Sequence, residues 1–261
     1  MPNTDKAKEF YEAVDRIDAY TVENDPEKHP FYDLLVQFVQ KWSLNNSKCL
    51  EIGSSKGLFQ DIVKDYTGVD IAESLSGYYH KKFIATPEAG LPFRDNTFDA
   101  IFTYATHEHV PDIEQALEEI IRVLKPGGVC LFAPAWHSRP WFAQGYQVRN
   151  YSDLTIKEKL IKFSIPFRDF FLFRWIIIIF RRIFRLIFFR FSPKHIPLRY
   201  KKLTANYEQF WQSDSDACNS LDPFDVILWF RSRGIQCIGF ETLPRTLFVR
   251  TLSLELRKPF R

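Results

Sequence analysis

From Cys49 to Gly57 the chain reads C-L-E-I-G-S-S-K-G, and from Thr67 to Asp70 it reads T-G-V-D. A short apolar strand carrying an acid, Glu51, runs into a turn of small residues that opens a helix. A second apolar run then ends in a second acid, Asp70. Small residues let a backbone approach a ligand closely, and Gly53 and Gly57 reach dihedrals that a Cβ forbids. An acid at the end of the second strand accepts two hydrogen bonds from a ribose diol. The pattern predicts a nucleoside-binding crevice at the carboxyl edge of a parallel sheet.

A dinucleotide site is the first rival. It calls for G-x-G-x-x-G with a helix N-terminus aimed at a pyrophosphate. Here the spacing is G-x-S-x-G, with Glu51 just ahead of the first glycine. A carboxylate there repels a pyrophosphate and pairs with a cationic ligand. S-adenosylmethionine carries a sulfonium and an ammonium and no phosphate.

Downstream, Leu91 begins L-P-F-R-D-N-T-F-D-A-I-F-T-Y-A-T-H-E-H-V-P-D, followed by I-E-Q-A-L-E-E-I-I-R-V-L-K-P-G-G-V-C-L-F-A-P. With E-I-G-S-S-K-G and G-V-D ahead of them, L-P-F-x-D-x-x-F-D, H-E-H-V-P-D and R-V-L-K-P-G-G make five ordered motifs. Across Lys48 to Trp136 the chain therefore resembles the class I S-adenosylmethionine-dependent methyltransferases, in particular the group that includes ubiquinone/menaquinone-type and small-molecule enzymes. The resemblance implies methyl transfer from S-adenosylmethionine and a Rossmann-like, doubly wound α/β fold. Its sheet has seven mostly parallel strands and closes on a C-terminal antiparallel hairpin. Cofactor contacts are expected at Glu51, Gly53, Ser54, Ser55, Gly57, Asp70, Ile71 and Tyr104. Where the family often has an acid on the adenine amine, this chain has Thr86 or Pro87, so adenine recognition is expected to pass to backbone groups and Glu88.

The residues agree with that architecture on their own terms. Phe98 to Tyr104 suits a buried parallel strand. Ile113, Leu117, Ile120, Ile121 and Leu124 keep helical spacing, and Lys125-Pro126-Gly127-Gly128 stops that helix ahead of a strand over 129–133. Asp222-Pro223 reads as an N-cap and first helical position. That helix ends at Gly234 and is followed by strands over 235–240 and 247–257, an antiparallel pair because their connection is short. Two helices are expected within 4–42. We divide the chain into leading helices that cover the cofactor (1–47), the cofactor-binding core (48–135), an inserted helical basic and aromatic segment (136–219), and the last helix with the strand pair (220–261).

Methyl transfer to an alcohol needs its proton removed, and histidine is the usual base near neutral pH. His107, His109 and His137 all follow strands at the carboxyl edge. His109 matches the histidine of the family's L-E-H-V-type motif, where it is frequently structural. The polar stretch Trp211 to Asp222 reads either as a solvated loop before a capped helix or as a sugar-facing surface in which Trp211, Asp214 and Asp216, with Trp136, hold the acceptor. It lacks the glycine and terminal glutamate of a calcium loop, and the four cysteines lack metal spacing, so no metal is expected.

The formal charge of +3 conceals an asymmetry. Between Leu160 and Lys202 stand eleven Lys or Arg against one acid, Asp169. Within it, Phe170 to Phe191 carries five arginines among seventeen apolar residues. At about +2.5 kcal/mol per arginine against about −0.3 to −0.6 per apolar residue, it does not span a bilayer. Arg174, Arg181, Arg182 and Arg185, with Trp175 and Phe188, read as an in-plane interfacial helix whose guanidiniums meet lipid phosphates. The alternative is a lid or dimer element packed on protein. Ile176 to Ile179 is too apolar for a wet nucleic-acid groove, so no nucleic-acid partner is expected. The N-terminus is charged and polar up to Phe10, so a cytoplasmic location, peripheral on the membrane, is expected. The functional expectation is O-methylation of a lipid-linked sugar or another amphiphile at the membrane surface. The alternatives are a quinone, isoprenoid or soluble acceptor, or a non-catalytic module of the same fold that docks to a membrane assembly.

Overall fold

The computed structural model describes residues 2–17, 25–87, 90–191 and 195–260. Two helices lead, α1 (Pro2–Ile17) and α2 (Tyr32–Lys41), followed by strands β1 (Lys48–Ile52), β2 (Asp65–Asp70), β3 (Lys82–Ala85) and β4 (Phe98–Tyr104). Helix α3 (Ile113–Val123) leads into β5 (Leu124–Ala133). The long segment after β5 holds α4 (Ile156–Asp169), α5 (Phe171–Phe191), β6 (Lys201–Lys202) and β7 (Asn219–Ser220). The chain closes with α6 (Pro223–Ser232), β8 (Gln236–Ile238), α7 (Leu243–Leu247) and β9 (Leu254–Arg257).

The seven-stranded sheet runs β3-β2-β1-β4-β5-β9-β8, and β6 and β7 form a separate ladder. β1 to β5 pair in parallel, while β9 is antiparallel to both β5 and β8. The order reverses between β1 and β4, and a crevice opens outside the carboxyl ends of strands at such a switch point. Period-two alternation divides the core into two layers. Leu50, Ile52, Ile101, Cys130 and Phe132 face α3 and α6 on one side. Cys49, Ala100, Phe102 and Leu131 face α2, with its Leu35, Phe38 and Val39, on the other. Both faces are covered, which is why the central strands read as nearly continuous apolar runs.

Three expectations need correction. No α-helix follows Gly57; residues 55–61 form consecutive turns. A parallel crossover must travel back the length of β1, about 16 Å for five residues. Only residues 58–64 are free to do so, and as an α-helix they would rise about 10 Å. The more extended path covers the distance and still buries Phe59 and Val63. The closing strands are shorter than the apolar runs, because Pro244 starts α7 inside what reads as a plain connection. β5 begins directly at Leu124, with Gly127 at φ +79° inside it rather than in a turn ahead of it.

Arg181, Arg182 and Arg185 of α5 also face the other way from the expected lipid-facing stripe. Arg182 is buried and donates to Asp222 Oδ1 (2.7 Å) and to the carbonyls of Leu247 (2.9 Å) and Val249 (3.2 Å). Arg181 reaches Asp222 Oδ2 at 2.6 Å, and Arg185 stands 3.5 Å from Asp225 Oδ1. Two acids at the start of α6 draw the guanidiniums inward, since a buried carboxylate without a partner is costlier than a paired one. The outward face is apolar instead: Phe180, Phe184, Ile187, Phe188 and Phe191 are exposed, as are Leu160, Phe163 and Phe167 of α4. Arg174 and Trp175 lie on α5, but their side chains fall outside the described residues. Among the described residues no helix is long and apolar enough to cross a membrane.

Candidate active site

β1 delivers the chain into the turn at the switch point. Gly53 adopts φ +70°, and a Cβ there would stand 2.0 Å from Thr106 Oγ1. Ser55 holds a left-handed φ of +44° without being glycine. Its amide donates to Asp70 Oδ2 (2.9 Å), which pins the strained residue to the end of β2. Asp70 also accepts from Ala72 N–H at 3.3 Å, leaving carboxylate lone pairs for a further donor. Burial raises its pKa, with the Ser55 and Ala72 amides opposing. Gly57, at φ +69°, lies under the Tyr79 ring, where a Cβ would meet the ring at 2.6 Å. The Tyr79 hydroxyl stands 2.7 Å from the Ser55 carbonyl and 2.8 Å from Ser54 Oγ, and Ser54 Oγ donates to the Val69 carbonyl.

Glu51 is buried beneath this turn and accepts a short hydrogen bond from the Tyr66 hydroxyl. Burial pushes its carboxyl up to about 8, with the Tyr66 bond opposing. A buried acid poised in this way ionises readily beside an incoming cation. Gly53, Gly57, Glu51 and Asp70 thus fit a ligand with a diol at one end and a positive charge at the other. S-adenosylmethionine is such a molecule. Ile71 directly follows Asp70 at the crevice rim. Glu88 lies outside the described residues.

Tyr104 closes β4, with its ring stacked on Phe31 (4.9 Å) and edge-on to His29 (5.1 Å). The segment between the leading helices therefore packs against the strand end. α1 spans the same edge: Glu12 accepts from the amides of Glu73 (2.7 Å) and Ser74 (3.2 Å), and Tyr11 donates to Asp216.

The three histidines take different places. His107 is fully buried, its Nδ1 3.2 Å from Thr103 Oγ1 and its ring against Phe132. Burial holds its pKa down near 3. This inward placement corrects the sequence expectation of a base at the acceptor face. His137 adopts φ +61° and donates its amide to the Leu221 carbonyl. Its charge acts on Asp222: burial raises that carboxyl, but Arg182 and His137 outweigh it and leave it below the ordinary value.

His109 has the densest polar surroundings. Nδ1 stands 3.1 Å from Asp216 Oδ2, and Nε2 stands 3.6 Å from Glu108 Oε1. Burial opposes the imidazolium, yet Asp216 followed by Glu108 and Asp214 brings its pKa up to about 10. Glu108 is pushed up to about 7, chiefly by burial, with His109 opposing. The backbone fixes the arrangement, because the Glu108 carbonyl accepts from the amides of Cys218 and Asn219 at 2.9 Å each. Asp214 and Asp216 thus join His109 rather than forming a free sugar-facing surface.

The two tryptophans are engaged with protein. Trp136 donates to the Leu252 carbonyl at 3.0 Å, and Trp211 packs on Gly145 with the Arg149 guanidinium 5.1 Å from its ring. These contacts correct the expectation of open stacking planes. Thr106, Tyr79 and Tyr66 escaped the sequence reading, since nothing local shows that their side chains fill the space the glycines leave.

A family model described as "Methyltransferase domain" matches residues 50–132. A sterol 4-C-methyltransferase of Caenorhabditis elegans is 32% identical over 98 residues, covering 32% of this chain and 29% of that protein. A demethylmenaquinone methyltransferase of Desulfitobacterium hafniense is 34% identical over 92 residues, covering 31% of this chain and 36% of that protein. The chain thus matches about a third of the length of these relatives. Among solved structures, the YcgJ protein of Bacillus subtilis is 23% identical and covers 51% of this chain and 65% of its own, with a TM-score of 0.38. The strand order, the crevice at the switch point and the matched segment together identify residues 50–132 as a methyltransferase domain of the class I, S-adenosylmethionine-dependent kind.

Proposed function

We propose that the chain O-methylates a hydroxyl of an amphiphilic acceptor, a lipid-linked sugar in the first instance, at the cytoplasmic face of a membrane. The observation that carries this reading is the placement of the His109 cluster after β4, the strand next to β1, so that polar groups able to handle a hydroxyl adjoin the nucleoside crevice. S-adenosylmethionine supplies a methyl group on a sulfonium, which leaves alignment and proton handling to the protein. Asp70 and the glycine turn hold the nucleoside end, and Glu51 faces the cationic end. Tyr11 and Glu12 draw α1 across the edge, which restricts water. His109, held by Asp216, orients the acceptor oxygen, and its proton leaves through the surrounding carboxylates.

The outward apolar face of α4 and α5 supports the membrane reading. Phe163, Phe167, Phe184, Phe188 and Phe191 form a broad surface of the kind an interfacial helix sinks into the acyl boundary. The four cysteines are buried thiols, which agrees with a reducing compartment. A quinone or other isoprenoid acceptor is the second reading. It is favoured by the Arg149 cover on Trp211, which removes a stacking plane for a sugar, and by relatives named for sterol and menaquinone substrates. A non-catalytic docking module would keep the fold without binding the cofactor.

Incubating the protein with methyl-tritiated S-adenosylmethionine and extracted membrane lipids tests the proposal. Label in the lipid phase that mild acid releases as a methylated sugar supports it. Acid-stable label in an isoprenoid moves the assignment to the second reading. No transfer to lipid, with transfer to a soluble alcohol, refutes the membrane acceptor.

A further inference from the structure

We propose that Glu108, His109 and Asp214 bind a divalent first-row transition-metal cation, with Zn²⁺ and Mn²⁺ as the ions they fit. The sequence led to no metal expectation, since the Trp211–Asp222 stretch lacks a calcium-loop pattern and the cysteines lack metal spacing, and the three donors here are brought together only by the fold. The fold brings one donor atom of each within 4.8 Å of the others. Glu108 supplies the independent sign of a missing ligand. It is 0% exposed, and neither of its carboxylate oxygens makes a well-formed hydrogen bond among the described residues, its neighbours being the amides of Glu108 and Ala135 and the His109 ring at 3.6 Å. A carboxyl removed from water and held only by these long contacts gains from a closer cation.

The distances suit such an ion. Glu108 Oε1 and His109 Nε2 are 3.6 Å apart, and an ion bound between them would displace the Nε2 proton of the imidazolium to solvent. An ion about 2.05 Å from each would subtend about 120° between them, close to the angle of a four-coordinate site. Asp214 would close the third position with a carboxylate movement of about 1 Å, within reach of a side-chain rotation. The other imidazole nitrogen, Nδ1, stands 3.1 Å from Asp216 Oδ2, and Asp216 also accepts from Tyr11. A ligating histidine whose second nitrogen faces a carboxylate is the usual support behind a metal. An imidazole beside two carboxylates favours Zn²⁺ or Mn²⁺ over the all-oxygen sites of Ca²⁺ and Mg²⁺.

Three protein ligands leave a coordination position open, as catalytic rather than structural sites do. That position would take the acceptor hydroxyl, whose acidity a bound cation raises. This use of the ion rests on the methyl-transfer reading, whereas the ion site rests on the donor geometry alone.

The test uses the full chain, stripped with a chelator and titrated with Mn²⁺. Free ion is followed by electron paramagnetic resonance, Zn²⁺ serves as competitor, and S-adenosylhomocysteine binding is measured in parallel. One Mn²⁺ per chain is expected, displaced by Zn²⁺. Glu108→Gln and the more accessible Asp214→Asn should each weaken ion binding at least tenfold, and Asp216→Asn about tenfold or more, all with S-adenosylhomocysteine binding retained as the sign of an intact fold. No Mn²⁺ or Zn²⁺ bound, or equal affinity in Glu108→Gln and Asp214→Asn, overturns the site and leaves a metal-free ion-pair cluster. Loss of S-adenosylhomocysteine binding in the parent chain would instead overturn the methyl-transfer reading.

Discussion

Replacing Arg182 by alanine separates two accounts of α5. With Arg182 facing lipid, the change would be silent in solution and would weaken membrane association. With the observed orientation, it strips Asp222 of a 2.7 Å partner and frees the carbonyls of Leu247 and Val249. Removing one member of a buried ion pair costs about 3–5 kcal/mol. Arg181 also reaches Asp222 but is 49% exposed, so it compensates only in part. We expect about 3 kcal/mol. At about 2–4 °C per kcal/mol for a chain of this size, the midpoint of thermal unfolding should fall by about 6–12 °C. Phe184→Ser, at an 80% exposed position of the same helix, should change stability by no more than about 0.5 kcal/mol. The loss should also depend on pH. Asp222 has a lowered folded pKa, so its contribution is present above the ordinary carboxylate value of 3.8 and is lost as pH falls through the folded value. Differential scanning calorimetry of both variants from pH 7 down to pH 3 reads these effects. An unchanged midpoint for Arg182→Ala, together with lost vesicle binding, would refute the inward orientation.

Three further outcomes follow from the same geometry. Gly53→Ala should abolish S-adenosylhomocysteine binding and cost about 1–3 kcal/mol, because its Cβ meets Thr106 and its φ is positive; adding Thr106→Ala should restore part of the stability in urea unfolding. Glu51 has a folded pKa raised from 4.5 to about 8, so its neutral form contributes fully below 4.5 and the contribution fades as pH rises through 8. Glu51→Gln should therefore lose less stability than the parent between pH 6 and 9 in thermal melts. Phe184→Asp with Phe188→Asp should release the protein from anionic vesicles in flotation, while a vesicle-bound fraction equal to that of the parent would transfer this face to a protein partner.

Elements whose identity is written in local pattern were legible from sequence. The apolar run Phe98 to Tyr104 became β4, Asp112 caps α3, and Asp222-Pro223 starts α6. Pairing across distance was not legible. Periodicity placed Arg181 and Arg185 on one stripe of α5, but the direction of that stripe is decided by Asp222 and Asp225 on α6. Likewise, H-E-H-V-P-D marks a site, whereas Asp216, the partner of His109, comes from the loop before β7 and is itself held by Tyr11 of α1. The absent helix after Gly57 is a matter of length, since too few residues remain to return helically along β1.

The central claim is that the turn after β1 and Asp70 form an S-adenosylmethionine site. Calorimetric titration of the parent chain and of Asp70→Ala with S-adenosylhomocysteine tests it most directly. The account predicts micromolar, one-to-one binding by the parent and none by Asp70→Ala, whose loss unpins Ser55 and removes the diol acceptor. No binding by the parent, or equal binding by both, would contradict it.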